Sequence, residues 1–181
     1  MALLAILLPE RVRTSASAEP AGETPPVRPG QEYAWVSSPD GEVVRTQGAS
    51  PARLLPKATT VVAVLADSDV AWHRVRLPKA PAARLREALA GVLEDNLLDS
   101  GGGVHLALFP QAQAGQLTWV AAVHRDWLRA QIAAIERSGT IVDRVVPSSW
   151  PDHPPIGHFE SADSADDDSS DGELALILSL I

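Results

Sequence analysis

The sequence predicts an α/β protein in which helices flank a mixed sheet, and three observations support this prediction. Apolar runs rich in β-branched residues, such as Thr60–Leu65, recur between turn residues and indicate buried strands. Two later segments, residues 85–97 and 127–135, carry apolar residues at spacings of three and four, which indicates amphipathic helices. Early strands joined by short turns favour antiparallel pairing, whereas later strands that alternate with helices favour parallel pairing.

Strands dominate the first half of the chain. Residues 3–8 form an apolar run that we interpret as the opening strand. Residues 32–37 and 42–47 flank Ser38-Pro39-Asp40-Gly41, and these four residues are a strong signal for a hairpin turn. The other elements predicted before the first helix are a helical turn at residues 51–55, a strand at 60–65, a turn at 67–69 and a strand at 71–77.

The first predicted helix begins near Pro81, because proline suits a first helical position, where its missing N–H would be unpaired anyway. Three glycines at residues 101–103 are expected to end it, since glycine adopts the left-handed conformation of helix ends. Its apolar stripe consists of Leu85, Ala88, Leu89, Val92, Leu93 and Leu97. We therefore predict that Leu89 and Val92 are core residues.

The second half of the chain predicts two strands, at residues 104–109 and 117–123, a helix at 125–137 and a strand at 140–146. The apolar face of this helix comprises Trp127, Leu128, Ile132 and Ile135, and Gly139 would end it. The strand–helix–strand order predicts that residues 117–123 and 140–146 pair in parallel through a right-handed crossover.

The two ends of the chain and one loop have a different composition. We expect residues 1–150 to form one domain, with a flexible loop at residues 13–30 that is rich in Ser, Ala, Pro and Glu. Residues 151–172 are first Pro-rich and then acidic, which predicts a flexible linker. The apolar residues 173–181 are interpreted as the first strand of a second, truncated subdomain, because a lone strand is not stable by itself.

The net charge of −8 is distributed unevenly along the chain. All 15 Lys and Arg precede residue 159, together with 16 of the 23 Asp and Glu. The predicted domain is thus close to neutral and shows no basic patch typical of nucleic-acid binding, so we expect no nucleic-acid partner. No apolar run approaches the ~20 residues of a membrane-spanning helix. The N-terminal segment lacks the basic residues that a signal peptide needs before its apolar run.

A search for chemistry in the sequence finds no convergent catalytic set. Residues 167–172 imitate the start of a calcium-binding EF-hand loop, but the twelfth position is Leu178 instead of a glutamate. His153 and His158 lack the spacing of a helical metal pair, and His73 and His105 lie on predicted strands. No P-loop, G-x-G-x-x-G or G-x-S-x-G is present, and there is no cysteine. We therefore expect no enzymatic activity, no cofactor and no metal ion.

One segment carries a more specific pattern. Residues 93–99 read Leu-Glu-Asp-Asn-Leu-Leu-Asp, the strand W-H-R-V-R-L-P precedes their helix, and the strand V-H-L-A-L follows it. This arrangement resembles the cytoplasmic domain of the type II secretion system protein L family. The resemblance implies an actin-like, ribonuclease-H-like subdomain that belongs to the cytoplasmic part of an inner-membrane protein, although this chain itself is expected to hold no transmembrane segment.

The resemblance also implies a function without chemistry. Members of the family act as scaffolds that recruit the cytoplasmic secretion ATPase, protein E, and contact the inner-membrane proteins M and F. A homodimer is a further possibility. Carboxylates at the end of the first helix could meet Lys or Arg of a partner, so Glu94, Asp95 and Asp99 are the predicted partner-binding residues.

Two alternatives to the scaffold remain. An actin-like or sugar-kinase-like enzyme would need an Asp-x-Gly phosphate loop just after the first strand, where this chain has Leu7-Leu8-Pro9-Glu10-Arg11. An enzyme of that superfamily would therefore be a degenerate one. The other alternative is a small secreted or periplasmic binding protein, which mapping the mature N-terminus would reveal.

Overall fold

A computed structural model describes residues 2–12, 27–93 and 103–152. The chain divides into two compact units. Of the described residues, 2–9, 27–66 and 132–152 belong to the five-stranded unit, and 10–12, 67–93 and 103–131 belong to the three-stranded unit. Most of the predicted flexible loop, nearly all of the predicted linker and the predicted strand at 173–181 lie outside the described residues, so these three assignments stay predictions.

The described residues form eight strands, two α-helices and two 3₁₀ turns. In chain order the strands are β1 Leu3–Leu7, β2 Glu32–Ser38, β3 Thr46–Pro51, β4 Thr60–Leu65, β5 Ala71–Arg76, β6 Val104–Leu108, β7 Leu117–His124 and β8 Arg144–Pro147. The helices are α1 Ala82–Leu93 and α2 Arg125–Glu136, and the 3₁₀ turns are Ala52–Leu54 and Asp67–Asp69. No helix in these parts of the chain is long and apolar enough to cross a bilayer.

The five-stranded unit is built on a mixed sheet with the strand order β3-β2-β1-β4-β8. Strand β1 runs parallel to β4, and β4 runs parallel to β8, whereas β1, β2 and β3 pair antiparallel. Leu4 and Ile6 of β1 are fully buried, and Ala5 packs with Val62 and Val64 on the opposite face. Apolar side chains thus line both faces of the central strand, as the continuous apolar sequence predicts.

A turn held together by hydrogen bonds to Asp40 joins β2 to β3 and confirms the predicted hairpin. Asp40 Oδ1 accepts hydrogen bonds from the Ser38 hydroxyl and from the backbone N–H groups of Glu42 and Val43. Gly41 has a positive φ of 90°, a conformation that glycine adopts without steric cost. The turn engages residues 42 and 43, so β3 begins at Thr46 instead of residue 42. The backbone hydrogen bonds also lower the pKa of the Asp40 carboxyl.

The three-stranded unit contains an antiparallel sheet with the order β5-β7-β6, which the sequence did not predict as a separate sheet. Helix α1 joins β5 to β6 and packs on one face of this sheet. The apolar cluster between them contains Val75, Leu77, Leu89, Leu93 and Val120, with Leu85, Leu106, Leu108 and Ala112 partly buried against it. The cluster anchors helix α1, whose last described residue, Leu93, is the first of the segment at residues 93–99.

The predicted parallel pairing of residues 117–123 with 140–146 is wrong. Strand β7 lies between β5 and β6, so both of its hydrogen-bonding edges are occupied. Strand β8 instead pairs with β4 in the other sheet. The chain changes unit within α2, since Arg125–Gln131 belong to one unit and the residues from Ile132 onward to the other. A crossover between adjacent strands is therefore absent at this position.

The prediction for the core face of α1 is half confirmed. Leu89 is 3% exposed, whereas Val92 is 47% exposed. Leu85, Leu89 and Leu93 follow each other at intervals of four residues, and this row faces the sheet. Val92 lies about 60° away from Leu89 around the helix axis. A sheet of three strands is narrow, and the described structure leaves this flank of the helix open to solvent.

This difference yields a matched pair of substitutions on one helix. Leu89→Ala should lower the free energy of unfolding by about 2–5 kcal/mol, because it removes buried methyl groups and leaves a cavity. Val92→Ala should change it by less than about 0.5 kcal/mol, since its side chain is largely solvated. Chemical denaturation followed by circular dichroism measures both values. Equal losses in the two variants would show that Val92 is buried by something in solution.

Candidate partner-binding site

The predicted partner-binding residues Glu94, Asp95 and Asp99 lie outside the described residues. Helix α1 is described as far as Leu93, which is fully buried in the apolar cluster, and the chain resumes at Gly103. The acidic segment is thus attached to a well-packed helix, and its role in binding stays a prediction.

The segment after β1 is the place where an actin-like enzyme would hold phosphate. Here the Leu8 N–H donates a hydrogen bond of 2.9 Å to the carbonyl of Val64, which extends the parallel pairing of β1 with β4. The Leu8 side chain is 1% exposed. A phosphate loop needs backbone N–H groups that point at the ligand and glycines that allow close approach. At Leu8 the N–H is engaged in the sheet and an apolar side chain fills the core.

Two histidines lie on the strands of the three-stranded unit, as the sequence predicts. Burial lowers the pKa of His105, and the positive charges of Arg86, Arg125 and Arg129 lower it further. The Arg125 guanidinium donates a hydrogen bond of 2.7 Å to the carbonyl of Val104, which holds one of these charges beside the strand. The His73 Nε2 is shielded from solvent and has no hydrogen-bond partner among the described residues.

In the described part of the chain, no group of three or more His, Asp or Glu side chains lies close enough together to hold a metal ion. The other histidines of the sequence census, His153 and His158, and the EF-hand-like residues 167–172 lie outside the described ranges. The expectation that the chain binds no metal stays a prediction.

The sheet face opposite α1 carries a group of basic and apolar side chains, which we name the arginine–tryptophan face: Arg74, Arg76, Leu117 and Trp119. Successive residues of a strand point to opposite faces, so these four lie opposite Val75 and Val120 of the apolar cluster. The register pairs Arg74 with Trp119 and Arg76 with Leu117. The Arg74 guanidinium carbon lies 5.8 Å from the centre of the Trp119 ring, within cation–π distance.

The turn before β7 holds one end of this face in place. The Arg76 Nη1 donates a hydrogen bond of 2.6 Å to the carbonyl of Gly115. Backbone hydrogen bonds join Leu77 N–H to the carbonyl of Gln116 (2.8 Å) and Gly115 N–H to that of Leu77 (2.7 Å). Gly115 has a positive φ of 84°, and a Cβ built on it would lie 2.9 Å from Cε of Lys79. The side chains of Lys79 and Arg76 therefore both lie next to Gly115.

The chain segments that contain the three strands of this sheet carry charge of one sign. Residues 70–86 contain five Lys and Arg and no Asp or Glu, and residues 103–125 contain one Arg and no Asp or Glu. Reasoning from the sequence missed this feature because charge was counted over the whole predicted domain, which is close to neutral. The signal that could have revealed it is the pair of spacings Arg74-x-Arg76 and Leu117-x-Trp119, which become one surface only once the strand register is known.

Comparison with known proteins identifies the family. The type II secretion system (T2SS) protein L family matches residues 27–151, which is more than half of the 181-residue chain. The chain therefore belongs to the type II secretion system protein L family, as the segment at residues 93–99 indicated. It is thus a protein of the protein-secretion machinery. Among curated proteins, none matches the chain at a significant level.

One solved structure supports the fold. The cytoplasmic domain of EpsL, an inner membrane component of the type II secretion system of Vibrio cholerae, superposes with a TM-score of 0.58 at 22% sequence identity. The match covers 84% of this chain and 61% of that chain, so this chain spans less than two thirds of that protein. The PilM-PilN type IV pilus biogenesis complex gives a TM-score of 0.44 at 18% identity, with 65% of this chain and 43% of that chain covered.

The environment of His105 predicts a measurable titration. Nuclear magnetic resonance should place the pKa of His105 below its ordinary value of about 6.5, and Arg129→Gln should raise this pKa because it removes one positive charge. Arg53→Gln, an exposed change in the other unit, is the control and should leave the pKa unchanged.

The same shift has a consequence for stability. Because the pKa of His105 is lower in the folded state, the unfolded chain binds more protons than the folded chain does as the pH falls. The stabilising contribution is complete above about pH 6.5 and is lost as the pH drops below that value. The variant His105→Gln should therefore lose less stability between about pH 7 and about pH 5 than the unchanged chain. An equal loss in both proteins would contradict this assignment.

Proposed function

We propose that this chain is a non-catalytic scaffold domain of the type II secretion inner-membrane platform. The observation that carries the proposal is the match of residues 27–151 to the protein L family. The similarity in fold to the cytoplasmic domain of EpsL, which is an inner membrane component, supports a location on the cytoplasmic side of the inner membrane. The chain would then act through binding surfaces and not through a reaction.

The five-stranded unit is, in this proposal, an actin-like and ribonuclease-H-like subdomain. Support comes from its mixed sheet, in which three strands run parallel (β1, β4 and β8) and two further strands join antiparallel as a hairpin. The family resemblance led us to expect such a subdomain. The three-stranded unit is then an insertion between β4 and β8.

The absence of catalysis is proposed on the geometry after β1. Leu8 uses its backbone N–H in pairing with β4 and buries its side chain, and residues 7–11 lack the Asp-x-Gly pattern of a phosphate loop. These observations favour the scaffold over the degenerate nucleotide-binding enzyme.

The partners in this proposal are the cytoplasmic secretion ATPase, protein E, and the inner-membrane proteins M and F. The acidic segment that follows α1 would offer Glu94, Asp95 and Asp99 to Lys or Arg of the ATPase. Helix α1 supports the segment from the side of the core, because Leu89 and Leu93 anchor the helix to the sheet. Charged groups at the rim of an interface chiefly set the association rate and the specificity.

Nucleotide binding separates the two candidate functions. Isothermal titration of the chain with Mg-ATP should show no heat of binding at nucleotide concentrations up to about 1 mM, a range that covers typical affinities of nucleotide-binding enzymes. A micromolar affinity, with the protein shown to be folded by circular dichroism, would reject the scaffold proposal in favour of the degenerate enzyme.

Recruitment of the ATPase is the positive test. Biolayer interferometry with the chain immobilised should detect the cognate ATPase, and Glu94→Lys/Asp95→Lys/Asp99→Lys should slow association because three carboxylates become ammonium groups. The matched control is Asp163→Lys/Asp166→Lys/Asp168→Lys, which makes the same change of charge in the acidic stretch near the C-terminus. Equal effects of the two triple variants would mean that only net charge matters.

A further inference from the structure

We propose that the arginine–tryptophan face binds the acidic stretch of this same chain, residues 160–173, as an internal ligand. The stretch lies outside the described residues, whereas the face is described in full. The contact would cover the face until another acidic ligand displaces the stretch. It lies within one chain, so the inference goes beyond the proposed function and does not rest on it.

The contacts of the two arginines on this face leave their positive charges available to an acidic ligand. The Arg74 guanidinium lies over the Trp119 ring at 5.8 Å, and the Arg76 guanidinium donates a hydrogen bond of 2.6 Å to the Gly115 carbonyl. Both side chains are exposed, and neither contact is with a carboxylate. Because both groups are already oriented, binding costs less side-chain entropy than it does for unrestrained arginines. Carboxylates suit them, since they form charge-assisted hydrogen bonds with guanidinium groups.

An exposed apolar side chain lies beside these two charges. Leu117 is 57% exposed although it belongs to strand β7, and the register places it opposite Arg76. Covering this side chain removes apolar surface from water, which favours binding. A ligand that fits the face therefore combines several carboxylates with a neighbouring apolar side chain.

The acidic stretch has this composition. Residues 160–173 contain seven Asp and Glu and no Lys or Arg, and Phe159 and Leu174 adjoin the two ends of the stretch. No basic group within the stretch competes for its carboxylates, because all Lys and Arg of the chain precede residue 159. The segments that form the three-stranded sheet have the opposite composition, with Lys and Arg but no Asp or Glu at residues 70–86 and 103–125. The chain thus carries a ligand whose charge is complementary to the face.

Covalent linkage favours this occupant over a separate acidic molecule. Between residue 152, the last described one, and Asp166, near the middle of the stretch, an extended chain spans up to about 50 Å. A compact domain of about 150 residues has a radius of gyration of about 15 Å, so the covalent length permits the contact. A tethered segment meets its site at an effective concentration on the order of 1 mM, so a contact with a Kd of about 1 mM is formed in about half of the molecules.

The test uses the complete chain, which contains no cysteine. Ser164→Cys therefore gives a single attachment site for a nitroxide spin label within the acidic stretch. In nuclear magnetic resonance spectra, the label should broaden the amide signals of residues 73–76 and 117–120, because paramagnetic broadening falls steeply with distance. Signals of β1 and β2 in the five-stranded unit serve as the internal reference.

The matched control carries the same label and has four of its carboxylates neutralised, as Asp163→Asn/Asp166→Asn/Asp167→Asn/Asp168→Asn. Its length and tether are unchanged, so any broadening that persists comes from the tether alone. We expect the selective broadening of β5 and β7 to be lost in this variant. It should also be lost in about 1 M salt, where the Debye length falls to about 3 Å.

The reciprocal variants change the face instead of the stretch. Arg74→Glu/Arg76→Glu should remove the selective broadening, whereas Arg45→Glu/Arg53→Glu, which reverses two exposed arginines of the five-stranded unit, should leave it unchanged. Circular dichroism and thermal melting establish that each variant is folded. The neutralised stretch keeps the test decisive if the reversal at Arg76 disturbs the Gly115 turn.

Three outcomes would overturn the inference. One is that β5 and β7 are not selectively broadened, or are broadened equally in the neutralised variant. Another is that the broadening occurs only between separate molecules, when isotope-labelled chain is mixed with spin-labelled chain, since the occupant would then belong to a second copy. The third is that Glu94→Gln/Asp95→Asn/Asp99→Asn shifts the signals of the face while neutralising the stretch does not. None of these results bears on the scaffold proposal, because no secretion partner is present in the experiment.

Discussion

The pairing of β7 with strands on both sides is the constraint on which the three-stranded unit depends. Because β5 and β6 occupy both of its edges, β7 cannot take a parallel neighbour, and the following strand must find a partner in the other sheet. The same strand divides its side chains between two environments. Val120 enters the apolar cluster beneath α1, while Leu117 and Trp119 point the other way. The placement of strand β7 thus determines which side chains enter the core of this unit and which lie on its surface.

In the five-stranded unit, β4 is likewise a strand with both of its hydrogen-bonding edges occupied. It pairs in parallel with β1 on one side and with β8 on the other. A side chain reinforces the second pairing: the Val61 N–H donates to Asp143 Oδ2 at 2.8 Å, and the Asp143 N–H donates to the Val61 carbonyl at 2.9 Å. At the opposite end of the strand, the Val64 carbonyl engages Leu8. This hydrogen bond uses a backbone N–H that a phosphate-binding loop would require, so the sheet's own stability and the proposed lack of chemistry have one physical origin.

The scaffold that we propose would act through its surfaces, and the distribution of charge limits which surfaces can bind a given partner. The chain as a whole carries −8, yet its β5 and β6–β7 segments contain no carboxylate between residues 70 and 86 or between 103 and 125. Arg74 and Arg76 of these segments lie on one face of the sheet, and the acidic residues after α1 follow a short distance along the chain. In the scaffold that we propose, a partner that meets both regions would have to offer carboxylates to one and Lys or Arg to the other. Such an arrangement gives selectivity, because a surface of uniform charge would be repelled by one of the two regions.

The sequence by itself determined the features that depend on a few neighbouring residues. Ser38-Pro39-Asp40-Gly41 predicted the hairpin through the turn chemistry of aspartate and glycine, the spacing of leucines predicted α1, and the segment at residues 93–99 indicated the family. Only the tertiary structure decided that β8 pairs with β4, that Val92 is exposed and that Arg74 meets Trp119. The physical reason is the distance along the chain over which each feature acts. Periodicity and turn chemistry act within one element, whereas Val61 and Asp143, which a hydrogen bond joins across the sheet, are 82 residues apart. The burial of a helix flank likewise depends on the width of the sheet beneath it.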